Sequence, residues 1–255
     1  MRRTLLPILL FSLFSDFLMA ESITGTAIVI IRTDDEIVVA ADSRAISERY
    51  PDWKPVTTNI CKIHKLHDTF YFATAGFRSD FTGTFNVVTA IRKSHNESRS
   101  ISQTVEASEA FIRSSFLETL NKHKRENPEN FKKNFARSSV VDLAFVGVEH
   151  GSMVVYIRRL RAQDDVAGLS VNVHPETCPG HCRTPNEILM IGDGWRAMNE
   201  YVRQLDPKTP ARLAEVAKNA VSAAIAKSQT VGLPIDILRI DRRGSSWIEV
   251  KNECR

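Results

Sequence analysis

Three residues in the first quarter of the chain carry the side chains best suited to covalent chemistry. Thr26 follows Gly25, Asp42 comes 16 residues later at the end of an apolar run, and Lys62 lies in a further β-type segment. A threonine hydroxyl is a poor nucleophile until a base takes its proton, and an amine can be that base. The three groups could therefore form a nucleophilic site if the fold brings them together, although each residue alone has an ordinary structural explanation.

The residues around these three resemble a known family. The stretches Gly25–Val29 and Ile37–Ala45 are similar to the opening of proteasome β subunits. In that family the nucleophile is a threonine after glycine, and the acidic residue lies in an Ala-Ala-Asp-Ser-Arg sequence at the same spacing. The 14-residue interval from Lys62 to Gly76 also equals that of the family, and Asp80 stands where the family has an aspartate.

The resemblance implies an N-terminal-nucleophile (Ntn) hydrolase, in which cleavage of the Gly25–Thr26 bond makes Thr26 the N-terminus. Its α-amine, with an ordinary pKa of about 8, would then be the base. Lys62 would lower the pKa of that amine by like-charge repulsion, and Asp42 would hold Lys62 in place. The Gly76 N–H would donate to the oxyanion.

Supporting roles follow from the same resemblance for Arg44, Asp193, Thr230 and Gly232. Asp193 lies between two glycines where most members have Gly-Ser-Gly. A carboxylate there could accept a hydrogen bond from the α-amine, and it would raise the pKa of that amine. The stretch Thr230–Asp236 is similar to that of the bacterial Anbu-type branch.

The resemblance also suggests a first substrate pocket lined by Ala45, Thr74 and Arg78. Arg78 would favour acidic side chains, and a surface salt bridge of Arg78 is the alternative interpretation. The expected substrates are peptides or unfolded chains, without a cofactor or a metal ion. The expected assembly is a homo-oligomer, either a ring or something smaller.

The composition is that of a globular domain. The chain has 255 residues, of which 43% are hydrophobic and 25% charged, so one core can bury most of its apolar surface. The net charge of +4 is small, and a nucleic-acid partner, which usually requires a clustered basic face, is not expected.

The beginning of the chain has the layout of an export signal. Two arginines precede an apolar run that ends at Ala20, and this run is too short to make a stable membrane span. We therefore predict a signal peptide over residues 1–20, a short propeptide over 21–25 and an Ntn-hydrolase domain over 26–255. The protein would be periplasmic or secreted. An uncleaved anchor and a mis-assigned start are the alternatives.

Four cysteines fit an exported protein. Cys61, Cys178, Cys182 and Cys254 allow two disulfides, whose pairing cannot be derived from the sequence. A zinc site is the competing interpretation, because two histidines lie close to the middle pair.

The order of periodic segments indicates the fold class. Strands, two helices, strands, two helices and strands follow one another, which favours an α+β protein with a four-layer αββα sandwich. We predict the first two helices around Phe77–Ile91 and Val105–Leu120, and the last helix from Thr209-Pro210. Residues 121–133 are predicted as a solvated loop, and residues 162–185 as an irregular connection.

Two functional hypotheses remain at this point. The joint presence of Thr26, Asp42 and Lys62 favours an active threonine peptidase or amidohydrolase. Asp193 favours a catalytically inactive relative that keeps the fold for assembly or binding. The N-terminal residue of the mature protein distinguishes them.

Overall fold

Two five-stranded antiparallel sheets form the centre of the molecule. The computed structural model describes residues 22–49, 54–80, 85–135, 139–182, 184, 186–205 and 212–255. The predicted signal peptide and the predicted helix start at Thr209-Pro210 lie outside these residues.

The strands divide among three sheets. One large sheet is built from β2 (Ala27–Arg32), β3 (Glu36–Asp42), β11 (Glu187–Gly192), β12 (Ile235–Asp241) and β13 (Gly244–Glu249). The other contains β6 (Ile63–His67), β7 (Phe70–Gly76), β8 (Ser139–Glu149), β9 (Ser152–Asp165) and β10 (Gly168–Cys178). A small third sheet joins β1 (Ser22–Thr24), β4 (Arg44–Arg49) and β5 (Lys54–Asn59). The strand orders are β11-β2-β3-β12-β13, β10-β9-β8-β7-β6 and β1-β4-β5.

Helices cover the outer faces of both large sheets. They are α1 (Val87–Ser94), α2 (Ile101–Glu126), α3 (Pro128–Asn134), α4 (Trp195–Arg203) and α5 (Leu213–Lys227). One hydrophobic cluster joins α1, α2 and α3 to the β6–β10 sheet, and another joins α4 and α5 to the second sheet. A third cluster lies between the sheets. The predicted four-layer αββα arrangement is thus confirmed.

Strand β2 shows why both sheets are buried on two faces. Its side chains alternate, so that Ile28 and Ile30 enter the cluster between the sheets. Val29 and Ile31 enter the cluster beneath α4 and α5. A strand that is apolar on both faces requires a layer on each side, and this places its first residues, next to Thr26, deep in the protein.

The first predicted helix begins later than the pattern of phenylalanines suggested. Asn86 caps α1, since its side chain accepts a hydrogen bond from the Thr89 N–H at 2.9 Å. Before it, Asp80 closes a loop, because its Oδ1 accepts from the Phe85 N–H at 2.9 Å. The rings of Phe77 and Phe85 stack with centroids 5.5 Å apart. The prediction of a helix from Phe77 was wrong, because these rings fill the core from a loop.

Two stretches predicted as irregular are regular. Residues 121–133 contain the end of α2 and most of α3. Besides its charged residues this stretch has a buried side, where the His123 ring stacks on the Phe135 ring with centroids 5.6 Å apart. Residues 162–185 include much of the β9–β10 hairpin, which runs in register from Gly168 opposite Asp165 to Cys178 opposite Val155. Charge density masked the buried side of the first stretch.

All four cysteines form disulfides, Cys61 with Cys254 and Cys178 with Cys182. The sulfurs of a disulfide are not thiolates, so the zinc interpretation of the middle pair is wrong. Within the described ranges, no group of three His, Cys, Asp or Glu residues is arranged to hold a metal ion. In the same ranges, no helix has the length and hydropathy needed to cross a membrane.

The two disulfides should differ in their contribution to stability. They span 193 and 4 residues, and a cross-link over a longer loop removes more entropy from the unfolded chain. We expect the double variant Cys61→Ser/Cys254→Ser to lose about 5 kcal/mol of unfolding free energy, and Cys178→Ser/Cys182→Ser about 2 kcal/mol. Guanidinium unfolding without reductant measures both. An equal or reversed order would contradict this prediction.

Candidate active site

Thr26 is fixed by the strands on either side of it. It is buried, and its carbonyl oxygen accepts a hydrogen bond from the Asp193 N–H at 2.5 Å. The next residue along the chain, Ala27, donates its N–H to Asp42 Oδ1 at 2.8 Å. Gly192 allows this approach, because a Cβ added there would lie 2.1 Å from the Thr26 carbonyl oxygen and 3.1 Å from Ala75 Cβ.

The carboxylate of Asp42 is the centre of the site. It is completely buried and accepts four hydrogen bonds. Oδ1 accepts from Ala27 N and from Lys62 Nζ, the latter at 2.6 Å. Oδ2 accepts from Arg44 N at 3.1 Å and from Gly232 N at 2.9 Å. A carboxylate that is bonded to three backbone donors and one ammonium group is held in a single orientation.

Lys62 uses all of its donors inside the site. Its Nζ donates to Asp42 Oδ1 at 2.6 Å, to the Gly25 carbonyl at 2.8 Å and to the Arg44 carbonyl at 2.6 Å. Only 1% of the residue is exposed. Burial lowers the pKa of Lys62 to about 8, although the neighbouring Asp42 favours the charged form. The charged ammonium form of Lys62 therefore predominates below pH 8, and the neutral amine predominates above it.

The Gly25 carbonyl is the point where the predicted nucleophile and the lysine meet. The Thr26 hydroxyl donates to this oxygen at 2.7 Å, and Lys62 Nζ donates to it at 2.8 Å. Gly25 has a φ of +93°, and a Cβ added to it would lie 1.8 Å from the Thr230 carbonyl oxygen. Only glycine fits at this position, because any side chain would collide with the Thr230 backbone. This packing reason is separate from the space that glycine leaves for attack on its carbonyl carbon.

The residues before Gly25 are held as a strand. Strand β1 pairs antiparallel with β4, with Thr24 opposite Ile46. Strand β4 begins two residues after Asp42, so the same turn that places the carboxylate also places the edge on which β1 lies. The bond between Gly25 and Thr26 is consequently presented in a fixed position.

The predicted supporting residues surround this core. Thr230 donates its hydroxyl to Asp193 Oδ2 at 2.9 Å, and its Oγ1 lies 2.7 Å from Ser228 Oγ. Ser228 was not predicted from the sequence. It could have been found as a second hydroxyl residue two positions before Thr230. Arg44 donates to the Gln229 carbonyl at 3.1 Å and lies so close to Gly232 that a Cβ there would be 2.4 Å from Arg44 Nε.

Of the remaining predicted residues, Thr74, Gly76 and Arg78 lie in β7 or just after it, and Ala45 lies in β4. Gly76 is the last residue of β7 and has a φ of +83°. Ala45 and Thr74 are buried. Arg78 lines a cavity, and its Nη1 donates to the Cys61 carbonyl at 3.0 Å. The surface salt bridge offered as an alternative for Arg78 is not formed with any described residue.

A second buried ion pair behind the site was not foreseen. Lys251 Nζ donates to Asp236 Oδ2 and to Ser43 Oγ, and the Lys251 N–H donates to Asp236 Oδ1 at 3.0 Å. Ser43 follows Asp42 directly, so this pair supports the turn that carries the carboxylate. Lys251 and Ser43 are 208 positions apart, so no local sequence pattern could predict their contact.

Comparison with known proteins supports the resemblance found in the sequence. Residues 23–127 match the family model described as proteasome subunit. No curated protein matches the chain. The proteasome-type Ntn-hydrolase resemblance is thereby confirmed, whereas the nearness to the Anbu-type branch stays a prediction.

Replacing Lys62 tests the buried pair. We expect Lys62→Met to lower the unfolding free energy by about 3–5 kcal/mol, because it leaves the buried Asp42 carboxylate without a counter-charge. Lys65→Met is the matched control. Lys65 lies three residues further along and forms an exposed pair with Asp68, so its loss should change little. Urea unfolding of both variants gives the comparison, and equal losses would refute the central role of Asp42 and Lys62.

Proposed function

The family match supports a proteasome-type Ntn hydrolase, and on this premise we propose that the protein is a threonine-type peptidase or amidohydrolase. Cleavage of the Gly25–Thr26 bond would release its nucleophile, Thr26. One observation carries the proposal: the Gly25 carbonyl oxygen accepts hydrogen bonds from both the Thr26 hydroxyl and the Lys62 ammonium.

The first step is the cleavage of the chain itself. The Thr26 oxygen attacks the Gly25 carbonyl carbon, and negative charge develops on the oxygen that Lys62 already contacts at 2.8 Å. The C–N bond then breaks, the hydroxyl proton passes to the departing nitrogen, and an ester links Gly25 to Thr26. Water hydrolyses this ester, which frees the residue 25 carboxylate, the Thr26 hydroxyl and the Thr26 α-amine.

The second step repeats this chemistry on a substrate amide. The free α-amine takes the hydroxyl proton as Thr26 attacks the substrate carbonyl, and it returns the proton to the departing amine. Lys62 keeps the pKa of the α-amine low by repulsion, and the Gly76 N–H donates to the oxyanion. Water then resolves the acyl-enzyme. Peptides and unfolded chains are the proposed substrates.

A non-catalytic role in assembly or binding is the second candidate function. The observation that favours it is Asp193, whose N–H donates to the Thr26 carbonyl at 2.5 Å and whose carboxylate accepts the Thr230 hydroxyl at 2.9 Å. A nearby carboxylate raises the pKa of an amine and so leaves less of the free base at neutral pH. A threonine-directed epoxyketone separates the two functions, because it labels Thr26 only if the freed amine and hydroxyl are both reactive.

We also propose that the protein is exported and forms a homo-oligomer. Both disulfides support an oxidising compartment such as the periplasm or the extracellular space. An exported hydrolase works without a cytoplasmic unfolding ATPase, and this favours substrates that are already unfolded or short. Size measurement of the purified mature protein tests the assembly.

The variant Thr26→Ala tests the nucleophile. Without the hydroxyl, we expect residues 21–25 to stay attached and peptidase activity to fall on the order of a thousandfold or more. Intact mass and N-terminal sequencing measure the first effect, and hydrolysis of peptide amides measures the second. Thr24→Ala, two residues upstream, is the matched control and should be processed normally. A Thr26→Ala protein that is still cleaved before residue 26, or that keeps peptidase activity, would contradict the proposal.

The pH dependence of self-cleavage tests Lys62. The pKa of Lys62 is lowered to about 8, so its ammonium, which stabilises the developing oxyanion, is lost as the pH rises through that value. We expect the cleavage rate of freshly refolded precursor to fall between pH 8 and pH 10, as followed by mass spectrometry. In Lys62→Met the rate should be low throughout and should lack this decline. A wild-type rate that keeps rising to pH 10 would argue against the role of the ammonium.

A further inference from the structure

A cavity of about 600 Å³ lies beside the candidate active site. Its lining includes Cys61 and Ile63, which flank Lys62 in the chain, and Arg78, which comes two residues after Gly76. Strand β6 forms its floor, α1 forms one side, and residues 253–255 form another. The cavity is therefore next to the groups assigned to the reaction but is built from different side chains.

The side chains that line the cavity carry an excess of positive charge. Lys65, Arg78, Arg92 and Arg255 face a single lining carboxylate, that of Glu253. Lys65 is already paired with Asp68 at 2.8 Å and contributes less. The three arginines remain in excess over one carboxylate, and among the described residues none of the three is within salt-bridge distance of an acidic side chain.

Arg78 is the most constrained of these cations. It is partly buried, and the hydrogen bond of its side chain among the described residues goes to a neutral acceptor, the Cys61 carbonyl. Burial and then the charge of Arg92 lower the pKa of Arg78. Two guanidinium groups that repel each other, one of them partly buried, would be stabilised by an anion between them.

His64 adds a hydrogen-bonding group without adding charge. It lines the cavity and is buried, and its Nε2 has no hydrogen-bond partner among the residues that the structure describes. Burial lowers the pKa of His64 to about 3, with Arg78 and Arg92 acting in the same direction, so the ring is neutral under ordinary conditions. An imidazole nitrogen that is buried and unpaired is a costly feature unless a ligand or water contacts it.

The wall formed by residues 253–255 is anchored at its middle residue and just before its start. The disulfide from Cys254 to Cys61 ties it to the segment before β6. The buried pair of Lys251 with Asp236 fixes the chain just before it. The position of this wall relative to β6 therefore depends on a covalent bond.

We propose that this cavity is a carboxylate-binding pocket, one wall of which is held in place by the Cys61–Cys254 disulfide. Guanidinium groups bind carboxylates through paired hydrogen bonds, which fits a pocket with arginines on two sides. The carboxylate can come from an acidic side chain of a bound peptide or from a small free acid. Of these two sources, only the bound peptide depends on the proposed function.

The first experiment uses a small acid and its neutral isostere. Glutarate and glutaramide are titrated by calorimetry into the purified full protein. We expect glutarate to bind about tenfold more tightly or better, as charge-assisted hydrogen bonds would give. Arg92→Gln should remove most of this preference, while Arg113→Gln, an exposed arginine on α2, should retain it. Equal binding of both compounds, or equal effects of both substitutions, would overturn the free-acid source.

The second experiment uses two blocked peptides, acetyl-Ala-Ala-Glu-amide and acetyl-Ala-Ala-Gln-amide, with the same protein and the same two variants. A preference of about tenfold for the glutamate peptide, lost in Arg92→Gln, supports the peptide source. Preference for the acid in either experiment supports the pocket, and absence of preference in both overturns it. Because binding is measured without turnover, an inactive protein that discriminates these ligands would contradict the proposed function but not the pocket.

The third experiment tests the wall. In Cys61→Ser/Cys254→Ser the preference for the acid should fall about tenfold at a temperature where circular dichroism shows the protein to be folded. Cys178→Ser/Cys182→Ser is the matched control and should keep the wild-type preference. An unchanged preference in the first double variant would refute the role of the disulfide in shaping the pocket.

Discussion

The buried pair of Asp42 and Lys62 is the interaction on which the rest of the site depends. Removing two charges from water is expensive unless every polar atom finds a partner. Here the carboxylate accepts four hydrogen bonds and the ammonium donates three. Their partners come from residues 25 and 27, the start of β4 and residue 232. Satisfying one ion pair therefore fixes three segments that are separated in the sequence.

Glycines make this convergence possible, because main chains approach one another where side chains would collide. Gly25 lies against the Thr230 carbonyl, Gly192 against the Thr26 carbonyl and Gly232 against the Arg44 guanidinium. The first two of these approaches bring main-chain groups directly against the segment that carries Thr26. Burial of Lys62 in the same site lowers its pKa, which connects the packing of the fold to the chemistry proposed for it.

The end of the described chain belongs to the environment of the site. Lys251 supports Ser43 beside Asp42, and its charge is one of the influences that lower the pKa of Lys62. Cys254 is bonded to Cys61, the residue before Lys62. These contacts explain how a segment without any recognisable motif acts both on the ion pair and on the adjoining cavity.

The sequence by itself determined the resemblance to proteasome subunits, the spacing of Thr26, Asp42 and Lys62, and the order of layers, because motif intervals and hydrophobic alternation are local properties of the chain. It did not determine that Phe77 and Phe85 fill the core from a loop, since an apolar residue reports burial and not backbone conformation. The tertiary structure alone decided the disulfide pairing, the pair of Lys251 with Asp236, and the requirement for glycine at position 25. Each of these depends on packing between residues far apart in the chain, for which no nearby residue carries a signal.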